Sequence, residues 1–252
     1  SEIMHARVQE TAVALFRIYV GLSLAQDTTM MLCGASFFDA LTHTFSTVST
    51  GGFSPYTDSV AHFGALNQVV ILLFMLASGV NFALYYALLR RRDGSILRDV
   101  ELRVYLLIAG LASAVVAFNI FGTDAHPAFA SAALNGTFQV VSLLTTTGFS
   151  TVDFAEWSGM SHAILVSLMF VGGCAGSTAG GAKIIRVLIG WAVAMREVRL
   201  TFSPNSVIAI AIGDQVVPES SARSVVALLL LWVLGWGAGA LLLSVGDVDL
   251  VT

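Results

Sequence analysis

Apolar runs of two lengths alternate along this chain. The longer ones are about 20 residues long, enough to span a bilayer as a helix. They are residues 8–24, 65–89, 104–121, 162–191 (interrupted by glycines) and 225–245. Two shorter runs, residues 36–48 and 127–144, are bounded by polar residues. These lengths suit half-helices that enter a membrane without crossing it, so the pattern predicts an all-α integral membrane protein.

Composition supports a membrane class. The 252 residues are 56% hydrophobic and 11% charged, and the mean hydropathy is +0.84. Soluble domains carry about 25% charged residues. The two cysteines, Cys33 and Cys174, lie far apart without metal-ligand spacing, and we interpret them as apolar packing residues. No catalytic motif is present, so we predict no catalytic residues and no enzyme activity.

Each short apolar run ends in a polar, glycine-containing segment. Residues 49–54 read STGGFS and residues 145–150 read TTTGFS, and Gly52 and Gly148 are 96 positions apart. The order of elements around them is also repeated: span, half-helix, loop, span. Parallel repeats of this kind can surround an axis normal to the membrane, which predicts that the two loops line one hole.

The repeated segments have the chemistry of an ion filter. A half-helix points its partially negative C-terminal end into the membrane, and a following loop can offer carbonyl oxygens in place of an ion's water. Glycine allows the backbone angles that such a loop requires. The predicted filter residues are Ser49, Thr50, Gly51, Gly52, Thr145, Thr146, Thr147 and Gly148. Their hydroxyl groups either add oxygen ligands or hold the loops in place. The alternative is a pair of glycine turns that only cap helices.

The distribution of charge predicts the orientation. Residues 25–63 and 119–161 contain no Lys or Arg, whereas basic residues crowd 90–103 and 183–223. The positive-inside rule therefore places both filter loops outside and the basic segments in the cytoplasm. The outer segments carry Asp27, Asp39, Asp58, Asp124, Asp153 and Glu156. These acids either concentrate cations at the pore mouth or merely keep the loops soluble.

A second glycine-rich segment interrupts the fourth apolar run. It consists of Gly172, Gly173, Cys174, Ala175, Gly176, Ser177, Thr178, Ala179, Gly180, Gly181 and Ala182. So many glycines disfavour a continuous helix, and we interpret the segment as a mobile gating loop that occludes the pore below the filter. The alternative is close helix packing through the glycines at 172, 176 and 180, which have GxxxG spacing.

Three segments resemble a known family. Residues 45–56 (FSTVSTGGFSPY), 144–150 (LTTTGFS) and 172–186 (GGCAGSTAGGAKIIR) resemble the TrkH/TrkG-type membrane subunit of the Trk/Ktr/HKT superfamily of potassium transporters. The resemblance implies four channel-like units around a pseudo-fourfold pore. It assigns residues 1–103 to the second unit, 104–202 to the third and 203–252 to a cytoplasmic linker with the first span of the fourth. The filter loops of the first and fourth units would then lie outside this chain.

The resemblance also implies a function. The chain is expected to belong to the pore-forming subunit of a potassium uptake system, whose transported K⁺ is bound by the backbone carbonyls of Thr50, Gly51, Thr146 and Thr147, with no organic cofactor. It implies a homodimer, a multi-pass protein of the bacterial cytoplasmic (inner) membrane, a cytoplasmic nucleotide-binding regulatory subunit of the TrkA type, and no nucleic-acid partner. Whether transport is a symport with protons or sodium stays open.

Two other functions remain possible from the residues alone. A secondary transporter for a small solute also uses broken helices, but it would be expected to have inverted repeats. A non-transporting membrane scaffold would use the glycines only to pack helices.

Overall fold

The computed structural model describes residues 2–91, 98–204, 206 and 208–245. Its helices are α1 (Glu2–Leu32), α2 (Phe37–Val48), α3 (Ala65–Ser78), α4 (Phe82–Arg91), α5 (Val100–Ile120), α6 (Phe129–Leu144), α7 (Gly159–Val171), α8 (Ile184–Phe202) and α9 (Glu219–Val245). A two-residue strand pair, β1 (Ala211–Ile212) and β2 (Gln215–Val216), pairs antiparallel between α8 and α9. The helical prediction is confirmed, and the small hairpin is an addition that the sequence pattern did not indicate.

The chain forms two compact units, Ser1–Gly181 and Ala182–Thr252. Along the first unit the same order of elements occurs twice: a long helix, a short helix, an irregular loop and a further helix. In the second unit, α8 and α9 pack around Ile189, Ile210 and Ala222. The guanidinium of Arg196 on α8 donates to both carboxylate oxygens of Glu219 on α9, at 2.6 and 3.2 Å.

The short helices α2 and α6 have 12 and 16 residues. At a rise of about 1.5 Å per residue they are roughly 18 and 24 Å long, less than the ~30 Å of a bilayer core. The hydroxyl of Ser36 caps α2 by accepting the N–H of Asp39 at 3.1 Å. Both helices bury most of their last two turns, so they end inside the protein as half-helices.

One core joins the two repeated halves of the first unit. Phe138, Val141 and Phe149 from the second half pack with residues of the first half. Those residues are Met30, Ala40, Val60, Phe63, Val70, Ile71 and Met75. Because lipid tails are as apolar as these side chains, tight packing rather than the hydrophobic effect must hold such a core together within a membrane.

Two described helices are long and apolar enough to cross a membrane, namely α5 and residues Glu219–Leu242 of α9. The pair α3 and α4 makes a third if it is counted as one bent span. On α5 the large side chains of Leu107, Leu111 and Phe118 are exposed, while Tyr105 and Val116 are fully buried. One face of this helix therefore packs on the protein and the other is free to contact lipid.

The apolar run 65–89, predicted as one continuous span, is broken in the structure. The axis turns by 90° between α3 and α4. Asn81 begins α4 by accepting the N–H of Ala83 through its side-chain oxygen at 2.9 Å. Gly79 lies directly against Tyr105, whose hydroxyl oxygen would be 2.3 Å from any Cβ at position 79. The break therefore depends on a contact from another helix as well as on the local sequence.

Candidate functional site: the paired loops and the glycine-rich segment

The two loops that follow α2 and α6 have the same backbone conformation. Thr50 and Thr146 both have left-handed backbones, with φ of 54° and 55°, and Gly52 and Gly148 have φ of 69° and 88°. A β-branched residue in the left-handed region is a true outlier. Such strain persists only where the surroundings enforce it, and it concentrates at functional sites. The glycines were predicted to adopt special angles, but the threonines were not.

Matching hydrogen bonds turn each loop back over the end of its half-helix. The N–H of Gly51 donates to the carbonyl of Ser46 at 2.7 Å, and the N–H of Thr147 donates to that of Ser142 at 2.8 Å. The same two carbonyls also accept the next N–H, at 3.5 and 3.4 Å. The loops are therefore equivalent in their hydrogen bonding as well as in their sequence.

The two loops lie side by side. A Cβ at position 52 would lie 1.9 Å from the carbonyl oxygen of Thr147, so only glycine fits there. A Cβ at position 148 would have no described heavy atom within 4 Å. The first loop therefore meets the second at Gly52, while among the described residues the space beside Gly148 is open.

A polar side chain on each half-helix braces the segment that follows its loop. His43 Nε2 is 3.0 Å from the hydroxyl of Ser54, and Gln139 Nε2 donates to the hydroxyl of Ser150 at 2.7 Å. The histidine and the glutamine are 96 positions apart, as are the two serines, and both bracing side chains are fully buried. The equivalence of this pair was not evident from the sequence, because imidazole and amide differ in type.

The first repeat also holds the second loop. The N–H of Ser150 donates to the hydroxyl of Ser59 at 3.1 Å, and its carbonyl accepts the N–H of Val60 at 3.2 Å. Of the hydroxyls predicted either to bind an ion or to hold the loops, that of Thr145 bonds within its own loop, 2.8 Å from the hydroxyl of Thr147. These contacts favour the holding role.

The predicted gating loop lies against both predicted filter loops. The hydroxyl of Thr50 is 2.9 Å from the carbonyl oxygen of Thr178, and the N–H of Gly180 donates to the hydroxyl of Thr146 at 2.6 Å. The segment is well packed, since Cys174 is fully buried. The structure thus brings the two predicted elements, loops and glycine-rich segment, into direct contact.

The N-terminal end of α2 carries a hydrogen-bonded carboxylate. Asp39 accepts from the hydroxyls of Ser36 and Tyr56, at 2.7 and 2.8 Å, and these bonds lower the pKa of its carboxyl group. The same bond to Asp39 raises the pKa of the Tyr56 phenol. Of the other predicted outer acids, Asp58, Asp124, Asp153 and Glu156 are exposed and Asp27 is half-buried.

These features define a class: an integral membrane protein made of parallel repeats of a long helix, a half-helix and a strained polar loop. The chain matches the TrkH family, described as cation transport proteins, over residues 5–250. It therefore belongs to the TrkH family.

Two relatives and one solved structure support this family assignment. The chain is 37% identical to the Trk system potassium uptake protein TrkH of Halomonas elongata over 221 residues, which is 87% of this chain and 46% of the relative. It is 35% identical to the TrkH of Escherichia coli over 227 residues, 88% of this chain and 46% of the relative. The crystal structure of the potassium transporter TrkH from Vibrio parahaemolyticus superposes with a TM-score of 0.88 at 32% identity, covering 96% of this chain and 53% of that one.

This chain thus spans about half the length of the proteins it matches. The resemblance seen in the three sequence segments is confirmed, as is the membrane class. The family is one of transporters, which agrees with the prediction that the chain is not an enzyme.

Proposed function

We propose that this chain supplies half of the pore of a potassium uptake system. The observation that carries the proposal is the pair of equivalent loops, 96 positions apart, which share their backbone conformation and lie in contact. In this proposal the backbone carbonyls of Thr50, Gly51, Thr146 and Thr147 replace water around a K⁺ ion, which is how carbonyl filters select. The relatives named as potassium uptake proteins support the choice of ion.

The other half of the filter would come from parts of the protein outside this chain. Phe53 and Phe149 occupy equivalent positions, yet Phe53 is 80% exposed and Phe149 only 1%. Phe149 belongs to the core shared with the preceding repeat. An additional unit packed beside the first repeat would cover Phe53 in the same way, and another would fill the open side of Gly148. Both expectations fit a ring of four.

The glycine-rich segment 172–182 is proposed to be the gate. Its support is position: it contacts Thr50 and Thr146, the second residues past the ends of the two half-helices. A segment at this place obstructs ions that leave the filter. Ions would pass down their electrochemical gradient when it moves aside.

The wider assembly is proposed from the family resemblance. It comprises a homodimer in the bacterial cytoplasmic membrane and a nucleotide-binding regulatory subunit of the TrkA type. The basic segments 90–103 and 196–223 are the proposed contact for that subunit. Of the first, residues 92–97 lie outside the described residues, as do residues 205 and 207 of the second.

Flux through the purified full-length protein tests the function directly. In proteoliposomes with equal outward gradients, K⁺ or Rb⁺ efflux should exceed Na⁺ efflux, and it should continue without a proton or sodium gradient. Absence of Rb⁺ flux from vesicles that contain folded protein would contradict the proposal. Flux that requires a second ion gradient would instead indicate a coupled transporter.

The contact between His43 and Ser54 predicts that one substitution at position 43 is tolerated and another is not. His43→Gln should preserve K⁺ over Na⁺ selectivity, because the equivalent residue Gln139 already braces its loop through an amide. His43→Leu should lower selectivity and reduce stability by about 1–3 kcal/mol, since it removes a buried hydrogen-bond partner. Thermal unfolding and the permeability ratio measure the two effects.

Gln26→Leu is the matched control for that substitution. Gln26 is also fully buried, but among the described residues its oxygen has no hydrogen-bond partner, and its amide nitrogen lies 3.8 Å from the Met30 sulfur. Its replacement should leave selectivity unchanged. If His43→Leu behaves like Gln26→Leu in both measurements, the brace does not position the filter.

A further inference from the structure

A buried carboxylate contacts the gating loop from another helix. Glu101 lies in the first turn of α5 and is 7% exposed, and its Oε1 accepts the N–H of Ala175 at 2.7 Å. A buried charge is costly unless it is hydrogen-bonded, and the N-terminal turn of a helix favours a negative charge. The site therefore suits a carboxylate whose bond to the loop is strong.

The broken helix supplies further contacts to the same loop. The carbonyl of Ser78 accepts the hydroxyl of Thr178 at 3.2 Å, and the carbonyl of Gly79 accepts the N–H of Cys174 at 2.9 Å. In return, the loop carbonyl of Gly176 accepts the N–H of Phe82 at 3.0 Å. Hydrogen bonds thus run in both directions between the loop and the break.

These bonds satisfy groups that a broken membrane helix leaves free. The last carbonyls of a helix have no partner within it, and an unpaired backbone group at membrane depth costs several kcal/mol. Two preceding carbonyls of α3, those of Leu76 and Ala77, accept the hydroxyls of Tyr105 and Tyr85. The gating loop supplies the donors for the next two carbonyls, those of Ser78 and Gly79. If the loop moved away, these carbonyls would lose their partners unless other donors replaced them.

We propose that Glu101, together with the carbonyls of Ser78 and Gly79, forms a clamp that holds the gating loop in its occluding position. Glu101 is a positioning residue: it acts through the loop and does not contact the ion. The clamp rests on the proposed function of the loop as a gate. Opening then requires exchange of these hydrogen bonds, so weakening them favours the open state without altering the filter.

Two substitutions weaken the clamp at different points in the full-length protein. Glu101→Ala removes a bond to a charged acceptor and should raise unstimulated Rb⁺ flux on the order of tenfold. Thr178→Val keeps the side-chain shape but removes the bond to Ser78, and should raise flux about threefold. Glu101→Gln retains an oxygen acceptor and should lie between Glu101→Ala and the unsubstituted protein.

Thr28→Val is the matched control for the threonine substitution. Thr28 is exposed, and its hydroxyl donates to the carbonyl of Leu24 in its own helix at 2.8 Å. The flux of this variant should equal that of the unsubstituted protein. The K⁺ over Na⁺ ratio should be unchanged in all four variants, because none of them replaces a predicted carbonyl ligand and Thr178→Val keeps the backbone carbonyl that accepts the hydroxyl of Thr50.

Cysteine accessibility supplies a readout that a merely structural residue would not move. Cys174 is fully buried beside the clamp, so in a protein with its other cysteines replaced, a membrane-impermeant thiol reagent on the cytoplasmic side should label it slowly. Glu101→Ala should speed labelling while ion selectivity stays near its original value. Faster labelling together with higher flux is the expected result.

The clamp is overturned if folded Glu101→Ala and Thr178→Val proteins show unchanged or lower flux. If Glu101→Ala does not fold, Thr178→Val and Glu101→Gln decide by the same criterion. Deletion within the loop separates this failure from failure of the gate itself. If deletion raises flux and the two substitutions do not, the clamp is wrong and the gate stands; if deletion also fails to raise flux, the gate is wrong.

Discussion

Gly148→Ser in the full-length protein should reduce the K⁺ over Na⁺ permeability ratio by about tenfold or more. The backbone at this position has φ of 88°, and an L side chain in the left-handed region costs roughly 1–2 kcal/mol. The loop can relieve this strain by changing its conformation, which would displace the carbonyl of Thr147 next to it. Because the proposed selectivity depends on carbonyl positions, a small displacement should admit Na⁺. Reversal potentials in mixed K⁺ and Na⁺ solutions measure the ratio.

Substitutions at two further glycines provide comparisons for Gly148→Ser. Gly52→Ser should be at least as harmful, since its Cβ would collide with the neighbouring loop. Gly122 has a similar φ of 81° in a turn after α5, with no described heavy atom within 4 Å of an added Cβ, so Gly122→Ser imposes the same strain outside the predicted filter loops. If Gly148→Ser expresses normally and selects as Gly122→Ser does, the filter assignment is wrong.

Deletion of residues 174–180 should raise unstimulated flux by about tenfold or more, because loss of the single bond to Glu101 is already expected to raise it by about that much. The deletion removes the contacts to Thr50 and Thr146 at the base of the filter together with those to the broken helix. Rb⁺ efflux from proteoliposomes measures the change, and selectivity should be retained, since the filter residues are intact.

Ser177→Ala is the control for the deletion. The hydroxyl of Ser177 donates to Cys174 within the loop itself, at 2.6 Å, so its loss leaves every named contact to the filter and the clamp in place. Flux in this variant should stay near that of the unsubstituted protein. If the deletion lowers flux while the protein remains folded and inserted, the segment is structural and does not act as a gate.

Local sequence was sufficient to predict the two loops and the half-helices before them. Residues 49–54 and 145–150 are conspicuous because hydroxyl groups and glycine follow apolar runs too short to span a bilayer. The fixed spacing of 96 positions then indicated a parallel repeat. Each of these signals depends on residue type and interval along the chain, which need no knowledge of contacts.

The break after α3 could not be predicted in the same way. Residues 65–89 are apolar almost throughout, and the pair Gly79 and Asn81 alone is a weak signal. The repeat spacing of 96 positions relates the break at residues 79–81 to residues 175–177 of the glycine-rich segment. Both repeats are therefore interrupted at equivalent positions. Only one of the two interruptions is rich in glycine. The other relies on hydroxyls from Tyr85 and Tyr105 and on donors from the gating loop.

What the sequence by itself determined is therefore the membrane class, the repeat, the family and the places of the two loops, because hydropathy, length and motif spacing are local properties. Tertiary structure alone decided that Thr50 and Thr146 have left-handed backbones. It also decided that His43 and Gln139 hydrogen-bond equivalent serines, and that Glu101 contacts the glycine-rich segment. Each of these depends on partners distant in the chain. In a membrane, a polar backbone group takes whichever partner the packed helices bring to it.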